Sequence, residues 1–432
     1  MEDPRVLVAA LAILAYALLS RQMGRWWISM PAAMLVIGFV VGPDGFGLIS
    51  TPIQGEFVKS VAELTLALLL FHDAVRIDLR ALRVGYSVPL RLLGIGLPLM
   101  IVIGTVVGWA LLPSLGLVGV ALVATMLAPT DAALGEAVVS DERVPTRIRQ
   151  GLNVESGLND GLSVPVFLVL LGAAADPTAL HSGALAEQLA TQIGVGIACG
   201  VAVGGLGGLL FRLASRDHLM ERMWRRIAIV ALAFSCFVSA AVLGGSGFIG
   251  AFVGGISFGL AAEARSPQDN AFTGYLGTVF DAVSFFLLGV VVLPFALPRV
   301  TWQIVVYALI SLVAVRMVSV ALAMLGSGAR RPTVAFMGWF GPRGLATLVF
   351  AVLVIDANVA HGDVIASAAI VGVVLSVFAH GFSAPPLVSA YANWFAHNPK
   401  PVPMETGHVH QHATRLQVPS VEPDASRAEP GG

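Results

Sequence analysis

Long apolar runs follow one another along nearly the whole chain, broken by glycine, proline or short polar links. A helix needs about 20 predominantly apolar residues to cross a bilayer. The runs predict about thirteen such helices, with cores near 5–20, 27–43, 58–75, 86–112, 114–139, 148–172, 188–211, 226–243, 247–263, 275–296, 302–325, 332–355 and 364–391. Only GGSG separates the eighth from the ninth. The pattern predicts an all-α polytopic membrane protein.

Composition agrees with that pattern. Of 432 residues 57% are apolar and 12% charged, about half the charged share of a soluble domain. The two cysteines, Cys199 and Cys236, fall inside apolar runs and read as small core hydrophobes. A net charge of −1 gives no reason to expect nucleic acid. Metalloprotease, P-loop and serine-hydrolase patterns are absent, so the reading is of a non-enzyme without a cofactor. The start, MEDPRVLVAALAILAYALLSRQ, has acidic first charges and no A-x-A cleavage site, so it reads as a retained first span.

Basic residues orient the spans, because they collect on the cytoplasmic side. With the N-terminus outside, Arg5, Lys59 and Arg299 fall outside, and Arg316 and Arg343 fall mid-span. All the others among the 25 basic residues then fall in cytoplasmic loops or the C-terminal tail. The expected location is a cell membrane, with the C-terminus cytoplasmic. The tail, 399–432, is rich in Pro, Glu, Ser and Gly and is expected to be disordered. Its His408, His410 and His412 read as a solvated stretch, with metal binding or pH sensing as the sharper alternative.

Of the ionisable side chains inside predicted spans, six matter here: Asp73, Asp131, Glu155, Asp160, Arg316 and Arg343. Such groups are costly in hydrocarbon and usually face a cavity and work there; the bland alternative is a set of structural ion pairs. In the sixth span Glu155 and Asn159 share one helical stripe, and Ser156 and Asp160 the next. Carboxylate, amide and hydroxyl oxygens together suit a hard cation. In the fifth span, Pro129-Thr130-Asp131 predicts a broken helix that exposes a carbonyl near Thr130. Asp131 would then open the second half-helix, where a carboxylate is stabilised. The twelfth span carries Gly341-Pro342-Arg343-Gly344, again a mid-span break. These are the fifth of the first six spans and the fifth of the last six. Their counterparts run in opposite directions, which predicts two inverted-topology six-helix repeats whose broken helices cross near the midplane. Arg343 is expected to offset an exposed helix C-terminus. Arg316 is expected to pair with Glu155, leaving Asp160 for the ion.

At this point the chain resembles the monovalent cation:proton antiporter-1 family, the electroneutral sodium/proton exchangers. LLLFHDAVRIDLRALR, LAPTDAALGEAVVSDERVPTRIRQGLNVESGLNDG, ISLVAVRMV and GWFGPRGLATLVFAVL carry the resemblance. It implies a transmembrane exchanger domain over 1–398, with core helices about 58–172 and 302–391. Dimerisation helices would lie mainly in 1–45 and 188–296, in a homodimer embedded in lipid. It also implies that Thr130 (carbonyl), Asp131, Ser156 and Asp160 bind the ion. Asn159 stands where electrogenic relatives carry a second aspartate, with Glu155, Arg316 and Arg343 in support. The chain departs from many bacterial members at His72, where they have Glu; Asp73 follows, and these two are the candidate contributors from the third span.

The expected activity is exchange of Na+ or Li+ for a proton, with Asp160 as shared carrier. Exchange should be electroneutral because Asn159 cannot ionise. K+/H+ antiport and a sodium-coupled organic-solute symporter are the alternatives.

Overall fold

The computed structural model describes residues 4–49, 55–76, 87–131, 133–176, 183–216, 219–262, 267–398 and 405. Its regular structure is helical throughout. In chain order the helices are α1 (Pro4–Arg25), α2 (Met30–Val41), α3 (Gly55–Val75), α4 (Val88–Leu111), α5 (Gly116–Met126), α6 (Thr146–Ala175) and α7 (Leu185–Arg216). There follow α8 (Arg222–Val242), α9 (Gly247–Ala262), α10 (Phe272–Arg299), α11 (Trp302–Ala323), α12 (Arg331–Trp339), α13 (Leu345–Asp356) and α14 (Gly362–His397). Each apolar run of the sequence coincides with one helix, except 114–139 and 332–355, which each hold two pieces. Eight of the described helices are long and apolar enough to cross a membrane, and four further apolar helices are shorter. The protein is a multi-pass all-α membrane protein.

Helix α9 has only 16 residues but is apolar all round and largely buried, as an interior helix should be. Glycines let its neighbours approach. On α7, Gly200, Gly204 and Gly208 recur every fourth residue and face α9. A Cβ at Gly200 would lie 2.8 Å from the Gly250 carbonyl oxygen, and one at Gly204 would strike the Gly254 backbone. This is small-residue packing, which serves where lipid supplies no hydrophobic drive between helices. On its other side, α9 places Gly255 against the Phe71 carbonyl of α3. Elsewhere, Phe167 of α6 stacks on Phe350 of α13 with ring centroids 4.2 Å apart.

Two local distortions bear on the site. Within α4 a π-helical turn spans Leu92–Gly96, and within α11 another spans Ser311–Val315, directly before Arg316. A π turn inserts one extra residue per turn and so re-aims the side chains that follow it.

The tail lies outside the described residues, His408, His410 and His412 with it, except for Glu405. That residue departs from the expectation of a disordered tail. Its buried carboxylate accepts from Thr333 Oγ1 at 2.6 Å, Arg330 Nε at 2.7 Å and the Arg330 amide at 3.0 Å. It thereby serves the start of α12, where backbone amides lack partners within the helix.

Candidate functional site

Helix α5 stops at Met126, and the chain resumes a single helical turn only at Glu136–Val139. Helix α12 stops at Trp339, and α13 begins at Leu345. Proline explains both stops: Pro129 and Pro342 lack the amide that would continue the ladder. The interruptions touch, with the Asp131 amide donating to the Pro342 carbonyl at 2.7 Å.

Each interruption leaves helix ends with unpaired backbone groups and partial charge. Asp131 serves two N-terminal ends at once. Its Oδ1 accepts from the amides of Ala133 (2.8 Å) and Leu134 (3.1 Å), and its Oδ2 from that of Leu345 (3.0 Å) at the start of α13. Arg343 serves the C-terminal end of α5, with Nη1 donating to the carbonyls of Ala128 (2.8 Å) and Pro129 (3.0 Å). Thr347 Oγ1 adds a bond to the Met126 carbonyl at 2.7 Å. Glycine is required beside these groups. A Cβ at Gly344 would run into the Asp131 carboxylate, and one at Gly341 would lie 2.5 Å from Arg316 Nε.

Helix α6 runs past both interruptions. Toward the first, Ser156 Oγ is 2.9 Å from Thr130 Oγ1, and Asn159 Nδ2 donates to Thr130 Oγ1 at 2.7 Å. The Thr130 hydroxyl, where the sequence pointed to its carbonyl, is therefore what ties the break to α6. Toward the second, Glu155 receives both terminal nitrogens of Arg316, the Nη2–Oε2 bond measuring 2.9 Å. Both side chains of this pair are 1% exposed. Asp160 is half-buried, one residue beyond Asn159 and one turn beyond Ser156.

The third-span residues split. Asp73 packs on α6, its Cβ 3.3 Å from where a Cβ of Gly157 would stand. Gly157 lies three residues before Asp160, on a neighbouring part of the same face. His72 is buried within the helix bundle.

Sequence reasoning missed several contributors. Met100 of α4 lies between the two arginines, its sulfur 3.7 Å from Arg316 Nη1 and 3.8 Å from Arg343 Nη2. A methionine in an apolar run carries no signal of this. Ser376 and His380 of α14 reach the second interruption. Their signal, polar groups four apart in an apolar span, was there to be read. A cavity of about 540 Å³ opens between α1, α2, α6, α10 and α14. It reaches Ala133 and Leu134, whose amides hold Asp131, and its wall includes Asn153, two turns before Asp160 on α6. Among the described residues no group of three His, Cys, Asp or Glu side chains is placed to hold a metal ion.

Comparison with known proteins places this geometry. Residues 7–390 match the family described as "Sodium/hydrogen exchanger, transmembrane". The chain is 28% identical over 386 residues to the K(+)/H(+) antiporter NhaP of Alkalimonas amylolytica, covering 86% of this chain and 63% of that protein. It is 25% identical to the K(+)/H(+) antiporter NhaP2 of Shewanella oneidensis, covering 87% of this chain and 65% of that one. It is 23% identical to the Na(+)/H(+) antiporter of Saccharomyces cerevisiae, covering 74% of this chain and 34% of that protein. The chain thus spans less than two thirds of the length of these curated relatives. The solved structure of the sodium proton antiporter MjNhaP1 from Methanocaldococcus jannaschii superimposes with a TM-score of 0.71 at 19% identity, over 88% of this chain and all of that one. The fold is shared with that structure, and by the match over 7–390 the chain belongs to the transmembrane sodium/hydrogen exchanger family.

Proposed function

We propose that this chain exchanges a monovalent cation for a proton, with Asp160 carrying each in turn. The observation behind this reading is the division of labour on α6. Glu155 is committed to Arg316, Asn159 and Ser156 are tied to Thr130, and Asp160 stands half-buried on the same face as Ser156. A single carboxylate among oxygen donors accepts either a cation or a proton. Asp131 has a different part. Its oxygens hold backbone amides, so it lends negative potential and a fixed frame to the site, and any direct contact with the ion shares those oxygens with the amides. Asp73 adds a further carboxylate from α3.

K+ is the cation that the relatives favour, since two of the three named above are K(+)/H(+) antiporters. Na+, which the sequence reading put first, has the yeast relative and the archaeal structure on its side. Asn159 cannot ionise, so the site bears the same charge with either load and exchange is electroneutral.

The same reading takes the apolar runs as thirteen spans in two inverted six-helix repeats. Its support is the contact between the fifth members of the two sets, at Asp131 and Pro342. The basic-residue pattern supports the N-terminus outside and the C-terminus in the cytoplasm of a cell membrane. The exchanger domain is 1–398, with a moving core near 58–172 and 302–391. A homodimer forms through helices of 1–45 and 188–296. Helix α1 supports this, since Leu7, Leu11, Leu14 and Leu18 are all exposed on it.

The test is cation-induced dissipation of a proton gradient in everted vesicles, with K+, Na+ and Li+ in separate runs. Wild type should respond to K+, Na+ or both, and Asp160→Asn to neither. A response retained by Asp160→Asn removes Asp160 as carrier. No response to any cation from pH 6 to 9 removes antiport.

A further inference from the structure

Three polar side chains of α14 face the second interruption. Ser376, His380 and Ser383 are spaced by four and three residues, which is one helical stripe. Ser383 Oγ accepts from Trp339 Nε1 at 2.9 Å. Ser376 Oγ accepts from the Arg343 amide at 2.6 Å. Between them lies His380, 2% exposed, with Nε2 3.0 Å from the Trp339 carbonyl and Nδ1 3.1 Å from Ser376 Oγ.

Both ring nitrogens face a carbonyl at 3.0 Å, Nε2 that of Trp339 and Nδ1 that of Ser376. The Ser376 carbonyl lies inside α14, where the helical ladder serves it, whereas Trp339 ends α12; hydrogen on Nε2 therefore serves the carbonyl at the helix end and leaves Nδ1 to the Ser376 hydroxyl. In the neutral ring Nδ1 is then an acceptor. The Ser376 hydroxyl already accepts from Arg343 and has its own hydrogen to give. One directed chain results: Arg343 N–H to Ser376 Oγ, Ser376 O–H to His380 Nδ1, His380 Nε2–H to the Trp339 carbonyl. It ties the end of α12 to a residue inside the gap. Trp339 is the last residue of α12, and Arg343 is the residue whose guanidinium holds the end of α5. Across 340–344 the backbone makes no helical ladder, so side chains must set its path. A second hydrogen on the ring would turn Nδ1 toward the Ser376 carbonyl, 3.0 Å away, and break the chain.

We infer that His380, as the neutral Nε2–H tautomer, is a positioning residue for the cation site: through Ser376 it fixes the Arg343 backbone relative to the end of α12, and so the placement of Arg343 and of Asp131's partner Leu345. This inference rests on the antiport reading for its functional half only.

The test uses the purified full-length protein with His380→Leu, His380→Gln, Ser376→Ala and the double variant His380→Leu/Ser376→Ala. In proteoliposomes, His380→Leu should raise the half-saturating cation concentration about tenfold, the loss expected for one buried hydrogen bond, with maximal rate changed less than about twofold. Its pH profile should shift as well. His380→Gln keeps an N–H for the Trp339 carbonyl and should recover most of the difference. Ser376→Ala should match His380→Leu, and the double variant should be no worse than either, because both break one chain. A merely structural histidine would lower the yield of folded protein and leave half-saturation and pH profile at wild-type values; that result overturns the inference.

Amide hydrogen exchange over 339–345 gives a readout free of transport. Faster exchange of this segment in His380→Leu, with protection kept in His380→Gln, supports the positioning role even if wild type proves to transport nothing. Equal protection in all variants overturns it, whatever the transport assay gives.

Discussion

The break at 127–135 is held chiefly by residues that reach it from elsewhere: Arg343 and Thr347 from across the crossing, Ser156 and Asn159 from α6. The break at 340–344 is held from α11 and α14, through Arg316, Ser376 and His380, with Asp131 as a carboxylate partner at the start of α13. Toward α6 the first break turns the Thr130 hydroxyl. At the second, the Arg316 guanidinium of α11 lies between α6 and the Phe340 carbonyl. Helix α6 matches this asymmetry in sequence: Glu155 faces the cationic break, while Ser156 and Asn159 face the other. One of the two carboxylates of this span, Glu155, offsets the charge of Arg316; the other, Asp160, is the one we propose as carrier.

Removing a partner from the second break should cost most. Arg316→Leu leaves the Glu155 carboxyl buried without its cation, and breaking a buried pair in this way destabilises by about 3–5 kcal/mol. The expected result is a large fall in melting temperature of the purified protein and loss of exchange. The double variant Glu155→Leu/Arg316→Leu should melt well above the single one, because no uncompensated charge remains. If the single and double variants melt alike, the pair is not what holds the second break.

The contact between the breaks should come next. Gly344→Ala pushes a methyl group into the Asp131 carboxylate and parts it from the Leu345 amide. Overpacking of this kind costs about 1–3 kcal/mol. Exchange should fall at least about tenfold, the factor that corresponds to 1.4 kcal/mol. Gly94→Ala, where a Cβ meets nothing within 4 Å, is the matched control and should leave both stability and exchange near wild type.

These variants also mark how far the sequence could be read. Helix positions were legible because lipid-facing helices need unbroken apolar length, and both breaks were legible from Pro129 and Pro342. The Glu155–Arg316 pairing followed from the cost of leaving a charge alone in hydrocarbon. The double capping by Asp131 was not legible, since its partner Leu345 contributes only a backbone amide, and every residue but proline has one. Met100 and Thr347 were hidden for similar reasons: one is an ordinary apolar side chain, and the other meets a carbonyl 221 residues away. Glu405 was hidden by composition, because a tail poor in apolar residues gives no sign that a single carboxylate docks on α12.

Asn159→Asp sharpens the comparison without breaking it. The added carboxylate falls on the side of α6 that meets Thr130, so the first break gains charge and the second keeps its own. Exchange should persist and become sensitive to membrane potential, measured in proteoliposomes under imposed K+ or proton diffusion potentials. Active, voltage-insensitive exchange would mean that the residue does not share the load.

The smallest effect should come from the outer ends of the two broken spans. Beyond the first, Arg143 Nη2 meets Asp141 Oδ2 at 2.7 Å; at the end of α13, Lys59 Nζ meets Asp356 Oδ2 at 2.5 Å. Both pairs reach solvent, where such pairs contribute about 0–1 kcal/mol at most. Asp356→Asn should therefore shift melting far less than Gly344→Ala. For Asp141 the hydrogen bond from Arg143 holds the carboxyl below its ordinary range. A depressed carboxylate adds stability only above its unfolded-state pKa and loses it as pH falls through the folded one. Any difference between wild type and Asp141→Asn should accordingly be present at neutral pH and vanish under acid, and both should exchange normally. A large effect of either surface variant on exchange would place the difference between the breaks at their outer ends; small effects leave it at the crossing, where the buried charges are.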